Sequence, residues 1–212
     1  QNIVNFLQLS PEEKVSSVLQ SEDFDAFKYF VMVTKNGIIK RTEVSQFANV
    51  RRSGLIAIGL KDGDALRWVR PSTGKDDIML ATLNGQSIRF KEKGVRCMGR
   101  SAAGVKALKL KKDDEIIGVD MIPDGKAAKD EQFLVVTENG FGKRTSLSAY
   151  KVQGRGGSGI KTVQVTAKTG KLASAKIVSQ KVEDEDLIII SKKGQVIRLP
   201  IKSVNILGRA TQ

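Results

Sequence analysis

One hairpin pattern occurs four times in this chain of 212 residues, and it restricts the fold more than any other feature. The copies are FVMVTKNGIIKRT (30–42), IMLATLNGQSIRF (78–90), FLVVTENGFGKRT (133–145) and LIIISKKGQVIRL (187–199). Each opens on a continuous apolar run, which reads as a strand buried on both faces. Asn-Gly in the first three, with Lys193-Gly194 in its place in the fourth, then predicts a tight reversal, a type I′ turn with φ > 0 at both central residues. The turn glycines Gly37, Gly85, Gly140 and Gly194 lie 48, 55 and 54 residues apart. A period of that size indicates stacked or radially arranged units rather than unrelated strands.

A second glycine follows each of the first three turns, at Gly54, Gly104 and Gly159, offset by 17, 19 and 19 residues. Alternating apolar and polar residues resume after it at 55–58, 105–110 and 160–165, and residues 3–9 look like the same strand of the first copy. A further strand is expected at 14–19, 65–69, 115–121 and 171–178. The reading is all-β, with about four strands per unit, about sixteen in total, and negligible helix. The units fall at roughly 1–50, 51–100, 101–155 and 156–212, and together form one domain, because each buries its apolar face only against its neighbours. Hydrophobic residues make up 40% of the chain but aromatics only 5%, so Val, Ile and Leu must fill the core.

The net charge is +13 and is unevenly placed. Residues 1–39 hold three lysines against five acids, a net of −2, so the remainder carries +15. A β domain this basic points to a polyanion, most simply nucleic acid. The cations recur at one place, the loop between each hairpin and the following strand: Arg51 and Arg52, then Arg96 and Arg100, then Lys151 and Arg155, then Arg209. Equivalent loops of a radial array lie along one perimeter, where arginine forks could meet successive phosphates and glycines could let backbone approach them. No recognition helix or zinc module is visible, so base-specific readout is not expected. The competing reading is a protein-interaction propeller that binds an acidic partner; it would share the blades and the charge.

Other chemistry is poorly supplied. There is no histidine, which removes His-dependent triads and histidine metal sites. Cys97 is the single cysteine; it excludes an intrachain disulfide and reads as a small, at least partly buried thiol. Trp68, Tyr29 and Tyr150 read as packing residues, 61–64 as a polar turn without phosphate-cradle spacing, and the mixed-charge turn at 111–115 as solvated surface. No nucleotide-cradling loop, signal peptide or membrane-length apolar run is found. The chain starts on Gln1, and the expectation is that it is a piece of something larger.

The T-x-N-G-x-x-K-R-T hairpins, the loop MGRSAAGV (98–105) and the loop Gln153, Gly154, Arg155, Gly156, Gly157, Ser158, Gly159 resemble the C-terminal domain of the DNA gyrase A subunit and its topoisomerase IV relative. The resemblance covers essentially the whole chain. It implies a β-pinwheel, blades of four strands that exchange strands with their neighbours, with four of six blades present here. It further implies a DNA-bending and DNA-wrapping module that acts through a basic outer rim without sequence preference. Arg51, Arg52, Arg96, Arg100, Lys151, Arg155 and Arg209 would be the DNA contacts. The family's signature box, Gln-Arg-Arg-Gly-Gly-Lys-Gly, is matched at Gln153, Arg155, Gly156, Gly157 and Gly159, while Gly154 and Ser158 replace basic residues. The loop is therefore box-like, in a later blade, with the true box expected upstream of Gln1. The parent would be an ATP-dependent type II topoisomerase of the bacterial cytoplasm. Its partners would be double-stranded DNA, the cleavage domain of the same subunit and the ATPase subunit. No catalysis, cofactor or metal is expected of this chain alone.

Overall fold

The computed structural model describes residues 13, 15–20, 26–50, 54–124, 130–179 and 185–211. Thirteen strands are formed among them: β1 (Tyr29–Thr34), β2 (Ile38–Glu43), β3 (Leu66–Ser72), β4 (Asp77–Thr82), β5 (Gln86–Lys91), β6 (Val105–Lys106), β7 (Ile116–Ile122), β8 (Glu131–Thr137), β9 (Gly142–Ser146), β10 (Ile160–Lys161), β11 (Leu172–Ser179), β12 (Asp186–Ile190) and β13 (Val196–Pro200). One 3-10 turn follows each hairpin, at Val44–Phe47, Glu92–Gly94, Leu147–Ala149 and Ile201–Ser203.

Four antiparallel sheets form the blades, in the orders β3-β1-β2-β6, β7-β4-β5-β10, β11-β8-β9 and β12-β13. The strands that follow Gly104 and Gly159 do not stay in their own blades. β6 leaves the loop after the second hairpin and pairs with β2 of the first, and β10 leaves the loop after the third and pairs with β5 of the second. This is the exchange of the pinwheel. It also explains why strands are fewer than expected. The exchanged segments pair for two residues only, Val105–Lys106 and Ile160–Lys161, not for six. Residues 55–58 have no preceding blade among the described residues to pair with, and form no strand. No strand forms at 15–20 either, contrary to expectation, and the predicted strand at 3–9 lies outside the described residues.

The core lies between blades, as layers. Ile78 and Leu80 of β4 join Val31, Val33 and Ile39 of the first blade. The alternate residues Met79 and Ala81 join Phe133 and Val135 of the third. Leu134 turns the other way, towards Val178 and Ile201. A strand sandwiched in this way needs apolar residues on both faces, which is why the hairpins open on unbroken apolar runs. Trp68 packs against the first layer, and Tyr150 is buried in the second, its hydroxyl 2.6 Å from Thr162 Oγ1.

The turns differ from the type I′ expectation. Gly37, Gly85, Gly140 and Gly194 have φ of 77°, 79°, 82° and 82°, but the residues before them, Asn36, Asn84, Asn139 and Lys193, do not have positive φ: Asp113 is the one non-glycine with positive φ among the described residues. Each glycine N–H instead donates to the carbonyl three residues back, on Thr34, Thr82, Thr137 and Ser191. That is a type I turn with glycine in fourth position, the usual route to a three-residue hairpin loop. The hydroxyls of Thr34, Thr82 and Ser191 accept the next N–H, at 3.1, 3.2 and 3.0 Å. The polar turns at 61–64 and 111–115 also have structural work. Asp64 Oδ1 and Asp114 Oδ1 each accept an N–H from a hairpin tip, Asn36 and Asn84, at 2.9 Å.

Candidate functional site

Strand exchange makes an arch out of two basic loops among the described residues, and the last loop begins in the same way. The loop that leaves one hairpin first lies along the second strand of the preceding one: Met98, Gln153 and Leu207 donate their N–H groups to the carbonyls of Arg41, Arg89 and Arg144, at 2.9, 2.7 and 2.8 Å. Two of the arches are then seen to return as β6 and β10 to the same strand nearer its tip. The return point explains the second glycine. A Cβ on Gly104 would sit 2.7 Å from the Ile39 carbonyl oxygen, and one on Gly159 would sit 2.5 Å from that of Ser87, both at positive φ. These glycines bring the loop close to the protein's own backbone, and that close approach, rather than phosphate, is what fixes them.

The arginine of each arch follows a glycine: Gly99-Arg100, Gly154-Arg155 and Gly208-Arg209. Arg96 and Lys151 are exposed, and Arg100, Arg155 and Arg209 are half-buried. The side chains of Arg96, Arg100 and Lys151 have no hydrogen bond or ion pair among the described residues. Arg155 and Arg209 are partly committed. Arg155 donates from Nε to the Gly94 carbonyl at 3.0 Å and from Nη1 to the Lys106 carbonyl at 2.5 Å, and Arg209 Nη1 reaches the Lys161 carbonyl at 3.3 Å. Lys106 and Lys161 close the two exchanged strands, so each arch is tied to the end of the one before it. Backbone bonds add to the chain of arches: Gly59 N–H to Ala102 O, Gly156 N–H to Ala107 O, and Lys109 N–H to Gly157 O. Arg51 and Arg52 lie outside the described residues. In the box-like loop, the buried Nε2 of Gln153 has no acceptor among the described residues.

What fills the space beneath the arches was not read from the sequence. Under the first lies Lys40, fully buried, its ammonium donating to the carbonyls of Gly99, Arg100 and Ala102 at 2.8, 2.5 and 3.2 Å. Under the last lies Lys143, 2% exposed, donating to Gly208, Arg209 and Thr211 at 2.8, 2.7 and 2.7 Å. Burial pushes both ammonium groups below their ordinary pKa of 10.5, Lys143 to about 8. Under the box-like arch the equivalent residue is Ile88. The arginine beside each, the second basic letter of the K-R motif, links blades. Arg41 Nη1 lies 3.4 Å from Glu92 Oε1, Arg89 Nη1 donates to Tyr150 O at 3.5 Å, and Arg144 Nε to Val204 O at 2.8 Å. Glu92, itself fully buried, also accepts from Ser72 Oγ and Gly74 N–H.

Cys97, expected to be at least partly buried, is exposed; its place at the foot of the first arch, bridged by backbone to Arg41, leaves its side chain outside the layers. Among the described residues no group of three or more His, Cys, Asp or Glu is placed to hold a metal ion, and no helix is long and apolar enough to cross a membrane.

Comparison with known proteins gives a consistent result. The family model described as "DNA gyrase C-terminal domain, beta-propeller" matches residues 28–73, 76–123, 131–179 and 185–212, one segment per hairpin. The DNA gyrase A subunit of Staphylococcus epidermidis is 38% identical over 211 residues, and that of Mycolicibacterium smegmatis 37% identical over 214. The chain is covered to 99% and 100%, but spans only 23% and 24% of those proteins. Among solved structures, a DNA topoisomerase IV C-terminal domain superposes with a TM-score of 0.88 at 26% identity, and a DNA gyrase A C-terminal domain with 0.85 at 27%. Both cover the whole chain, which accounts for 64% and 68% of their own length.

Proposed function

Because the chain belongs to the DNA gyrase C-terminal domain family, we propose that it binds and bends double-stranded DNA as an accessory module of a bacterial type II topoisomerase. The observation that carries this reading is the register of the arches. Met98, Gln153 and Leu207 dock on equivalent arginines of successive blades, so an arginine recurs once per blade at one structural place. A duplex that followed those places would meet Arg96 and Arg100, then Lys151 and Arg155, then Arg209; Arg51 and Arg52, outside the described residues, are proposed as further contacts from the sequence alone.

The mechanism is electrostatic. Each cation that neutralises a phosphate releases condensed counterions, which gives affinity without sequence preference and a steep dependence on salt. Bending a site of 20–30 base pairs costs on the order of a few kcal/mol, and contacts from successive blades offset it. In the parent enzyme, DNA held along the rim would reach the cleavage domain of the same subunit with one sign of crossing. The bonds are broken and the nucleotide is hydrolysed elsewhere, in the cleavage domain and the ATPase subunit. The chain itself has a mechanical part, played in the bacterial cytoplasm.

The test is a titration of linear duplexes of unrelated sequence at several salt concentrations, with bending read from end-to-end distance. Similar affinities that weaken together as salt rises are expected. Failure to bind any duplex, with tight binding of an acidic protein, would establish the interaction-propeller reading instead.

A further inference from the structure

The two buried lysines have no place in a phosphate-binding account, since both residues are buried and their ammonium groups are taken up by backbone carbonyls. Burying an ammonium is expensive unless all its donors are used. Both are, in the same way: three N–H groups on three backbone carbonyls of one arch. An ammonium has three donors and no acceptor, so the match is complete. The carbonyls come from residues far away in sequence, 59 to 62 positions for Lys40 and 65 to 68 for Lys143. In each case they include the carbonyl of the arginine itself, Arg100 or Arg209. Three carbonyls of a short loop that converge on one point fix the loop's curvature, and with it the direction in which the next side chain leaves.

The second arch is a control built into the molecule. Ile88 stands in the lysine position, and no ammonium among the described residues donates to a carbonyl of 154–158. That arch is Gly-Arg-Gly-Gly, and a Cβ on Gly157 would meet Ile88 Cδ1 at 3.8 Å. Its arginine is held from outside, by the carbonyls of Gly94 and Lys106. Arg100 has no such bond among the described residues, so its loop depends on what is below, while Arg209 has a single outside bond, to the Lys161 carbonyl at 3.3 Å. Lysine goes with Gly-Arg-Ser-Ala and Gly-Arg-Ala-Thr, and isoleucine with the glycine-rich loop.

We propose that Lys40 and Lys143 are positioning residues for DNA binding: each buried ammonium holds the arch of the next blade in the shape that presents Arg100 or Arg209 to phosphate. The proposal rests on the DNA reading of the preceding subsection. It adds that affinity depends on two cations that never touch DNA, and that these act on the neighbouring blade rather than their own.

The test uses Lys40→Met and Lys143→Met, which keep most of the buried stem and remove the donors. Amide hydrogen exchange is followed in the 212-residue chain without DNA. Lys40→Met should raise exchange at 99–103, Lys143→Met at 208–211, and neither at 154–158. Duplex titrations against salt should then show a slope lower by roughly one unit for each variant, as expected when one phosphate is no longer neutralised. Protection of β4 and β8 should stay as in the unaltered chain, which separates a freed loop from a loosened fold. Should the methionine variants prove too unstable, Lys40→Ala is titrated with added propylammonium. Recovery of the slope with propylammonium, and not with tetramethylammonium at equal ionic strength, supports the clamp, because only the former has N–H donors. A freed arch with an unchanged salt slope would overturn the positioning role while leaving the DNA reading intact. Unchanged exchange at both arches would overturn the clamp. If the unaltered chain binds no duplex at any salt, the DNA reading fails first, and the proposal with it.

Discussion

Arg155 shows what a single side chain is asked to do here. A guanidinium has five donors, and two nitrogens of this one are used on the carbonyls of Gly94 and Lys106. The remaining donors are what DNA can use. Arg155→Ala should therefore weaken binding equally for all sequences and lower the salt slope by roughly one unit. It should also cost about 1–2 kcal/mol of stability, since both hydrogen bonds disappear, measured by urea unfolding. Loss of stability with full DNA binding would make it a staple only. Lys143 gives a second residue-scale prediction. Its ammonium titrates near 8 when folded and near 10.5 when exposed. Between those values the unfolded chain holds the proton and the folded chain does not, so this group makes the fold more stable as pH rises. Tyr150, pushed up by burial, acts oppositely above pH 10, where only the unfolded phenol ionises. The stability difference between the parent chain and Lys143→Met should grow from pH 8 to pH 10; a flat difference would contradict the shift. The repeated position of the arch arginines was legible in the sequence because type and spacing carry it; their contact with DNA is what the proposed function adds. The lysine clamps were not, because what buries Lys40 is a carbonyl cluster some sixty residues away, which exists only after a strand has changed blades.

The hairpin and the arch are the two elements, and glycine limits both. Gly159 has φ of +72°, and a Cβ there would meet the Ser87 carbonyl oxygen at 2.5 Å. Gly159→Ala must either strain that backbone or lift β10 off β5. The expected cost is roughly 1–3 kcal/mol, with faster amide exchange at Ser87. Gly154→Ala is the comparison: nothing lies within 4 Å of its Cβ and its φ is not positive, so stability should hardly change. Equal effects at the two positions would mean that the return of the arch is not what fixes the second glycine. The hairpins were legible because their period survives substitution. Their turn type was misread because Asn-Gly suits a type I′ turn so well. The hydroxyl of Thr34, Thr82 or Ser191 favours the other geometry by taking the N–H after the glycine. The number of strands was overestimated for a related reason: the pattern at 105–110 and 160–165 was read as a strand throughout, whereas a strand also needs a partner of equal length, and past the two paired residues the neighbours Ala107 and Leu108, and Thr162 and Val163, are buried together.

At the scale of the molecule, the layers between blades and the chain of arches make one array, in which neighbours support each other. The exchange of strands that builds it came from the family resemblance, not from the 48-to-55-residue period, since a period does not say which copy a strand pairs with. Val135 belongs to the layer between the second and third blades. Val135→Ala should cost roughly 1–3 kcal/mol by opening a small cavity, with the salt slope unchanged well below its unfolding midpoint. The length of the DNA separates an array from a set of independent sites. If duplex DNA follows successive arches, a short duplex can meet the cations of one arch, and a longer one those of several. The salt slope should then steepen as the duplex is lengthened, by about 0.9 unit for each further phosphate neutralised, and level off once the last arch is engaged. Bending should appear over the same range of lengths, since a single point of attachment cannot bend a rod. Arg155→Ala, in the middle arch, should then reduce the slope on long duplexes and reduce the bend as well. A slope that stays the same at every length would mean that one blade binds alone, and the arches, though linked through Lys106 and Lys161, would form no continuous path.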